Sequence, residues 1–89
     1  MLRKDVMIIN KLGLHARAAS KFVTLASGFE SDIRLARGSR EVNGKSIMGV
    51  MMLAAGRGTS LEIIADGADE EDAIRLLDDL IKMRFGEEE

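Results

Sequence analysis

Read for the spacing of its apolar positions, the chain divides into short segments that switch between two periods. Val6, Met7, Ile8 and Ile9 form an apolar run closed by Asn10 and Gly13, which predicts a strand. From Ala16 the period is helical: Ala19, Phe22, Val23 and Ala26 follow the i, i+3, i+4, i+7 template, and Gly28 is a stop signal. Ile33 and Leu35 alternate with Asp32 and Arg34, and Gly38-Ser39 turns the chain into Arg40-Glu41-Val42-Asn43, which reads as a hairpin. Asn43-Gly44 ends that strand. Ile47, Val50, Met51 and Ala54 return to helical spacing over residues 47–55, closed by Gly56-Arg57-Gly58. Leu61, Ile63 and Ala65 alternate as a fourth strand, followed by a turn at Asp66-Gly67. In the final segment Asp69 stands where a helix cap belongs, and Glu70, Glu71 and Asp72 suit the positive end of the helix dipole. Ala73, Leu76, Leu77 and Leu80 are its buried stripe.

The order β-α-β-β-α-β-α within 89 residues predicts an α+β two-layer sandwich, with helices on one face of a mainly antiparallel sheet, as a single domain over residues 1–89. A hydrophobic fraction of 46% beside 31% charged residues suits a folded domain and is too apolar for a disordered one. The absence of cysteine excludes disulfides and thiolate metal sites. Met1-Leu2-Arg3-Lys4-Asp5 lacks the apolar core of a signal peptide, and no stretch approaches 18 uninterrupted apolar residues. The expectation is a soluble cytoplasmic protein with no membrane insertion.

Charge changes that picture, because the formal net charge of −2 hides an uneven distribution. Residues 1–61 hold 10 basic and 4 acidic side chains, a balance of +6, and residues 62–89 hold 3 basic and 11 acidic, a balance of −8. The first two thirds suit an anionic ligand or an acidic partner, with Arg17, Lys21 and Lys45 as steering cations. The acidic remainder is assigned to the last helix and a frayed Glu87-Glu88-Glu89 tail, away from any docking face. Nucleic acid is not the expected partner: the three Phe residues fall at buried or terminal positions, leaving no stacking aromatics.

Candidate chemistry concentrates at two helix starts. Gly38 to Ser46 imitates a nucleotide-binding P-loop but has five residues before Gly-Lys-Ser where the motif needs four, and it crosses a predicted strand. His15 is the only histidine and has no neighbouring ligands for a metal, so no metal or cofactor is expected. It stands in Gly13-Leu14-His15-Ala16-Arg17, where a glycine-bearing loop meets the first helix. The unpaired amides of that first turn favour a phosphate and disfavour an imidazolium, leaving a neutral ring nitrogen as a nucleophile. Arg17 supplies a charge-assisted donor for an oxyanion. Nothing nearby activates water, so the site is read as a phosphoryl acceptor and not as a hydrolase.

Ser46 precedes the helix that begins at Ile47 and reads as its N-cap, a position that also accepts a phosphate beside Lys45. Met51 has buried spacing, whereas Met48 and Met52 lie four apart on one face, off the apolar stripe. An exposed methionine surface suits docking to several partners.

Together these residues resemble the histidine-containing phosphocarrier (HPr) family of the bacterial phosphoenolpyruvate-dependent phosphotransferase system. Residues 10–19, Asn-Lys-Leu-Gly-Leu-His-Ala-Arg-Ala-Ala, resemble its active-site signature, and residues 43–53, Asn-Gly-Lys-Ser-Ile-Met-Gly-Val-Met-Met-Leu, its regulatory-serine region. The resemblance implies an open-faced β-sandwich of four strands and three helices. It implies that His15 takes phosphate on Nδ1 from enzyme I and passes it to an enzyme IIA of sugar uptake, with Arg17 assisting, as a stoichiometric monomeric carrier that is not itself an enzyme. Ser46 is then the position modified by HPr kinase/phosphorylase, and Ala16, Lys45, Ile47, Met48, Met51 and Met52 form the docking surface. Many members have proline where Ala18 stands, and sugar-pathway members commonly carry a small polar residue where Leu12 stands. Asn10-Lys11-Leu12-Gly13 and the acidic tail resemble the nitrogen-type branch. The alternative reading is a nitrogen-type or purely regulatory module that signals by its phosphorylation state.

Overall fold

Four strands hydrogen-bond into one antiparallel sheet in the computed structural model, which describes residues 1–89. In chain order the elements are β1 (Leu2–Met7), α1 (Ala16–Ser27), β2 (Asp32–Arg37), β3 (Arg40–Asn43), α2 (Ile47–Met52), β4 (Ser60–Asp66) and α3 (Glu70–Lys82), and a 3-10 turn follows at Arg84–Gly86. The spatial order is β1-β4-β2-β3, so the last strand lies between the first and the second. The three helices pack on one another and on one face of the sheet.

Register explains which face is covered. Val6 pairs with Leu61, Leu35 with Ile63 and Ile33 with Ala65, and all six are buried on the helix side. Their neighbours one residue along point to the other face, where Arg3 and Arg34 flank Ile64 across the two ladders. Phe22 of α1 and Phe85 of the 3-10 turn are fully buried in the same core, and truncating either to alanine is expected to cost about 3–5 kcal/mol.

The structure corrects several sequence-based expectations. The first strand is Leu2–Met7 and not residues 6–9: a ladder running back to Leu2 against Ala65 supplies the hydrogen bonds, and Ile8 and Ile9 already belong to the loop. The second helix stops at Met52, three residues early, because Ala54 takes a left-handed φ of 50°. In α3 the stripe is Ala73, Leu77, Asp78 and Ile81, while Leu76 and Leu80 are only partly covered. Asp78 accepts from Lys4 Nζ and Lys82 Nζ, each at 2.9 Å. Burial pushes its carboxyl up, but the two ammonium groups outweigh that and hold it below the usual carboxylate range. Asp69 stands at the start of α3 but does not cap it. Its oxygens instead accept from the amides of Glu30 and Ser31, each at 2.9 Å, and from the Ser31 hydroxyl. No helix is long and apolar enough to cross a membrane.

Candidate functional site

The loop between β1 and α1 is shaped by backbone contacts that leave His15 little freedom. Gly13 adopts φ +68°, and an added Cβ would stand 2.6 Å from the Ala55 carbonyl oxygen. The Leu14 amide donates to the same oxygen at 2.8 Å. Only glycine fits there, and the contact fixes the start of α1 against the segment that follows α2. Asn10, fully buried, donates from Nδ2 to the Gly13 carbonyl at 2.8 Å and closes the loop.

His15 is the N-cap residue of α1 and its side chain makes no capping bond. The amides of Ala16, Arg17 and Ala18 therefore have no partner in the chain, with the positive end of the helix dipole behind them. Arg17 makes no ion pair and lines one hollow of about 750 Å³ together with Lys11, Leu12, His15 and Ala16. The arrangement can hold an anion of phosphate size beside an imidazole nitrogen.

Sequence reasoning missed the remaining wall of that hollow, which is Glu87, Glu88 and Glu89. The tail is not frayed. Glu87 Oε2 lies on Nε2 of His15 and Oε1 accepts from Asn10 Nδ2 at 2.9 Å, while the Glu89 carbonyl accepts from the Lys11 amide at 2.6 Å. The Asn10 amide and then the His15 ring hold the Glu87 carboxyl below the usual carboxylate range. Nε2 is engaged, and Nδ1 has no partner in the chain. The one signal in the sequence was Phe85, an apolar residue past the last helix that anchors the tail by its burial.

Ser46 caps α2, its Oγ accepting from the Gly49 amide at 3.1 Å. A Cβ on Gly44 would meet Ile33 Cγ2 at 2.7 Å, so the turn before Ser46 lies directly on β2. Six helical residues, about 9 Å, separate Ser46 from the end of α2 that faces the His15 loop. On α2 only Val50 is buried. Met51 is 42% exposed and Ile47 43%, contrary to their apolar spacing, and Met48 and Met52 are exposed as their offset implied. Leu12, in the loop before α1, is a further exposed large apolar side chain. The steering lysines are less free than expected: Lys45 Nζ donates to the Phe29 carbonyl at 2.7 Å and Lys21 Nζ to that of Phe85 at 2.6 Å.

The chain and its fold have known relatives. The family model "PTS HPr component phosphorylation site" covers residues 2–83. The phosphocarrier protein HPr of Neisseria meningitidis is 56% identical over the full length of both chains. A crystal structure of HPr from Thermoanaerobacter tengcongensis superposes with a TM-score of 0.96 at 47% identity, covering all of each chain. An HPr dimer from the same organism gives 0.79 at 47% identity, covering 98% of this chain and 100% of that one. A family match over nearly the whole chain, carried by the same sheet order and helix layer, means that the chain belongs to the HPr family, the phosphocarriers of the phosphotransferase system.

Proposed function

We propose that this chain carries phosphate on Nδ1 of His15, accepting it from phosphorylated enzyme I and passing it to an enzyme IIA of sugar uptake. The observation that carries the reading is the placement of His15 at the start of α1, its Nε2 occupied by Glu87, beside the amides of the exposed residues Ala16 and Arg17, which have no partner in the chain. The Nδ1 lone pair attacks phosphorus as the bond to the donor nitrogen breaks. The free amides and Arg17 take up the charge on the phosphoryl oxygens. Such a transfer depends on positioning and electrostatics more than on covalent chemistry by the protein, so a shallow exposed site suffices. On this reading the chain is a stoichiometric carrier, returned to its starting state each time it passes a phosphoryl group on, and not itself an enzyme.

Ala16, Ile47, Met48, Met51 and Met52 form the docking surface, with Lys45 beside it. Ser46 is a regulatory phosphorylation position for HPr kinase/phosphorylase, and the carrier works in the cytoplasm as a monomer, which sedimentation at working concentration tests against the dimeric relative. The test of the carrier role is a chase: the protein is labelled from phosphoenolpyruvate through enzyme I and then mixed with an enzyme IIA of the sugar branch. Movement of label to that acceptor supports the reading. Label that stays on this chain contradicts it and favours the purely regulatory alternative.

A further inference from the structure

Glu87 lies 72 residues beyond His15 and yet shares a hydrogen bond with its ring. That contact is built by a sequence of anchors. Arg84 and Phe85 both take left-handed φ values, 56° and 55°, which are strained for residues other than glycine and are held by full burial of the Phe85 ring between α1 and α3. Lys21 fixes the Phe85 carbonyl from α1. The Lys11 amide fixes the Glu89 carbonyl, and Asn10, itself fully buried, holds the other Glu87 oxygen. The carboxylate is therefore delivered to one ring nitrogen by a locked segment, with its side chain 19% exposed and that of His15 29%.

A carboxylate accepts and cannot donate, so the nitrogen it faces must carry the proton. We propose that Glu87 is a positioning residue of the phosphoryl-transfer site: it holds His15 as the Nε2–H tautomer, leaving the Nδ1 lone pair free, and offsets the positive charge the ring gains as Nδ1 bonds phosphorus. This rests on the carrier role of His15 given above. In the step, the Nδ1 lone pair becomes the new N–P bond, and the electron pair of the old P–N bond returns to the donor histidine. The Nε2 proton of His15 stays in place throughout. The acceptor ring gains one positive charge and the donor ring loses one, and the Glu87 carboxylate faces the ring that gains it. Third groups that fix tautomer and orientation of a reacting histidine work in this way in other sites.

Glu87→Gln tests this, because glutamine has one acceptor oxygen for two donors, Asn10 Nδ2 and His15 Nε2–H. The readouts are the imidazole nitrogen resonances of the unphosphorylated protein, which report the tautomer, and single-turnover phosphoryl acceptance from enzyme I. The expected result is a smaller Nε2–H share and acceptance slowed about tenfold, with little change in the enzyme I concentration that half-saturates the rate. A chain ended after Gly86, which keeps the Phe85 anchor, is expected to show the same two changes. An unchanged tautomer share and an unchanged rate in both variants, with wild type labelled on His15, overturn the proposal. If wild type takes no label on His15, the carrier reading fails separately, and the ring spectra still decide whether Glu87 sets the tautomer.

Discussion

Gly13 and Ala55 are in backbone contact: a Cβ on Gly13 would stand 2.6 Å from the Ala55 carbonyl oxygen, closer than side chains pack. The contact joins the loop that presents His15 to the segment just past the helix α2, so the two halves of the candidate site meet at this glycine and at the Leu14 amide, which donates to the same oxygen. Gly13→Ala is expected to lose about 2–3 kcal/mol, from the strained φ and the displaced carbonyl together. Urea unfolding measures the loss, and amide shifts confined to residues near 13 and 55 locate it. A variant as stable as wild type would show that the loop is not constrained there.

Two arginines of the β2–β3 hairpin hold the far end of α2. Arg37 Nη1 donates to the Leu53 and Ala54 carbonyls, each at 3.0 Å, and Arg40 Nη1 to that of Met52 at 2.9 Å. These are charge-assisted bonds to the carbonyls a helix leaves open at its end. Arg37→Met is expected to cost about 1 kcal/mol in global stability and to speed hydrogen exchange in α2 more than in β1 or β4. Uniform acceleration across all elements would assign Arg37 to general stability and not to α2.

Acid should weaken the α1–β2 junction through Asp69. The Ser31 hydroxyl, and next the Glu30 amide, hold the Asp69 carboxyl below its ordinary value. Its folded pKa is then lower than the unfolded value of about 3.9, so the folded state binds fewer protons. The stabilisation is present above pH about 4 and is lost as pH falls through the lower folded value. Asp69→Asn removes that dependence, and the fall in Tm between pH 7 and pH 3 is expected to be smaller in the variant. An equal or larger fall would place the acid sensitivity elsewhere, with the paired Asp78 as the next candidate.

Ser46→Asp separates capping from charge. Aspartate caps helices about as well as serine, so thermal stability is expected to stay within about 0.5 kcal/mol. The added negative charge lies beside the exposed Ile47, Met48, Met51 and Met52, and opposes an acidic partner. Slower phosphoryl acceptance from enzyme I, with stability unchanged, is the expected outcome. Equal rates in both forms would argue against a regulatory role for charge at Ser46.

What the sequence made legible follows from how local each determinant is. Helix α1 was readable to the residue because five buried positions repeat at helical spacing and Gly28 follows them. The hairpin and β4 were legible because Ile33 and Leu35, and Leu61, Ile63 and Ala65, recur at every second position on the covered face, even though Ala36 and Ile64 beside them are buried as well. Helix α2 is only six residues long, less than two turns, so apolar spacing there could not tell core from surface, and Ile47 and Met51 proved exposed. Lys4 hid the true extent of β1, because a charged residue on the covered face is intelligible only once Asp78 is seen opposite it. Glu87 was illegible for the same reason on a larger scale: its partners Asn10 and His15 lie more than 70 residues away, and nothing in Glu-Glu-Glu distinguishes a tethered carboxylate from a solvated one.

The central claim is that His15 is the residue that carries phosphate. Incubation with phosphoenolpyruvate and enzyme I, followed by intact-mass measurement under alkaline and acidic conditions, tests it most directly. One acid-labile phosphate on the wild-type chain and none on His15→Ala is the result the account predicts. The same phosphate on His15→Ala would contradict it.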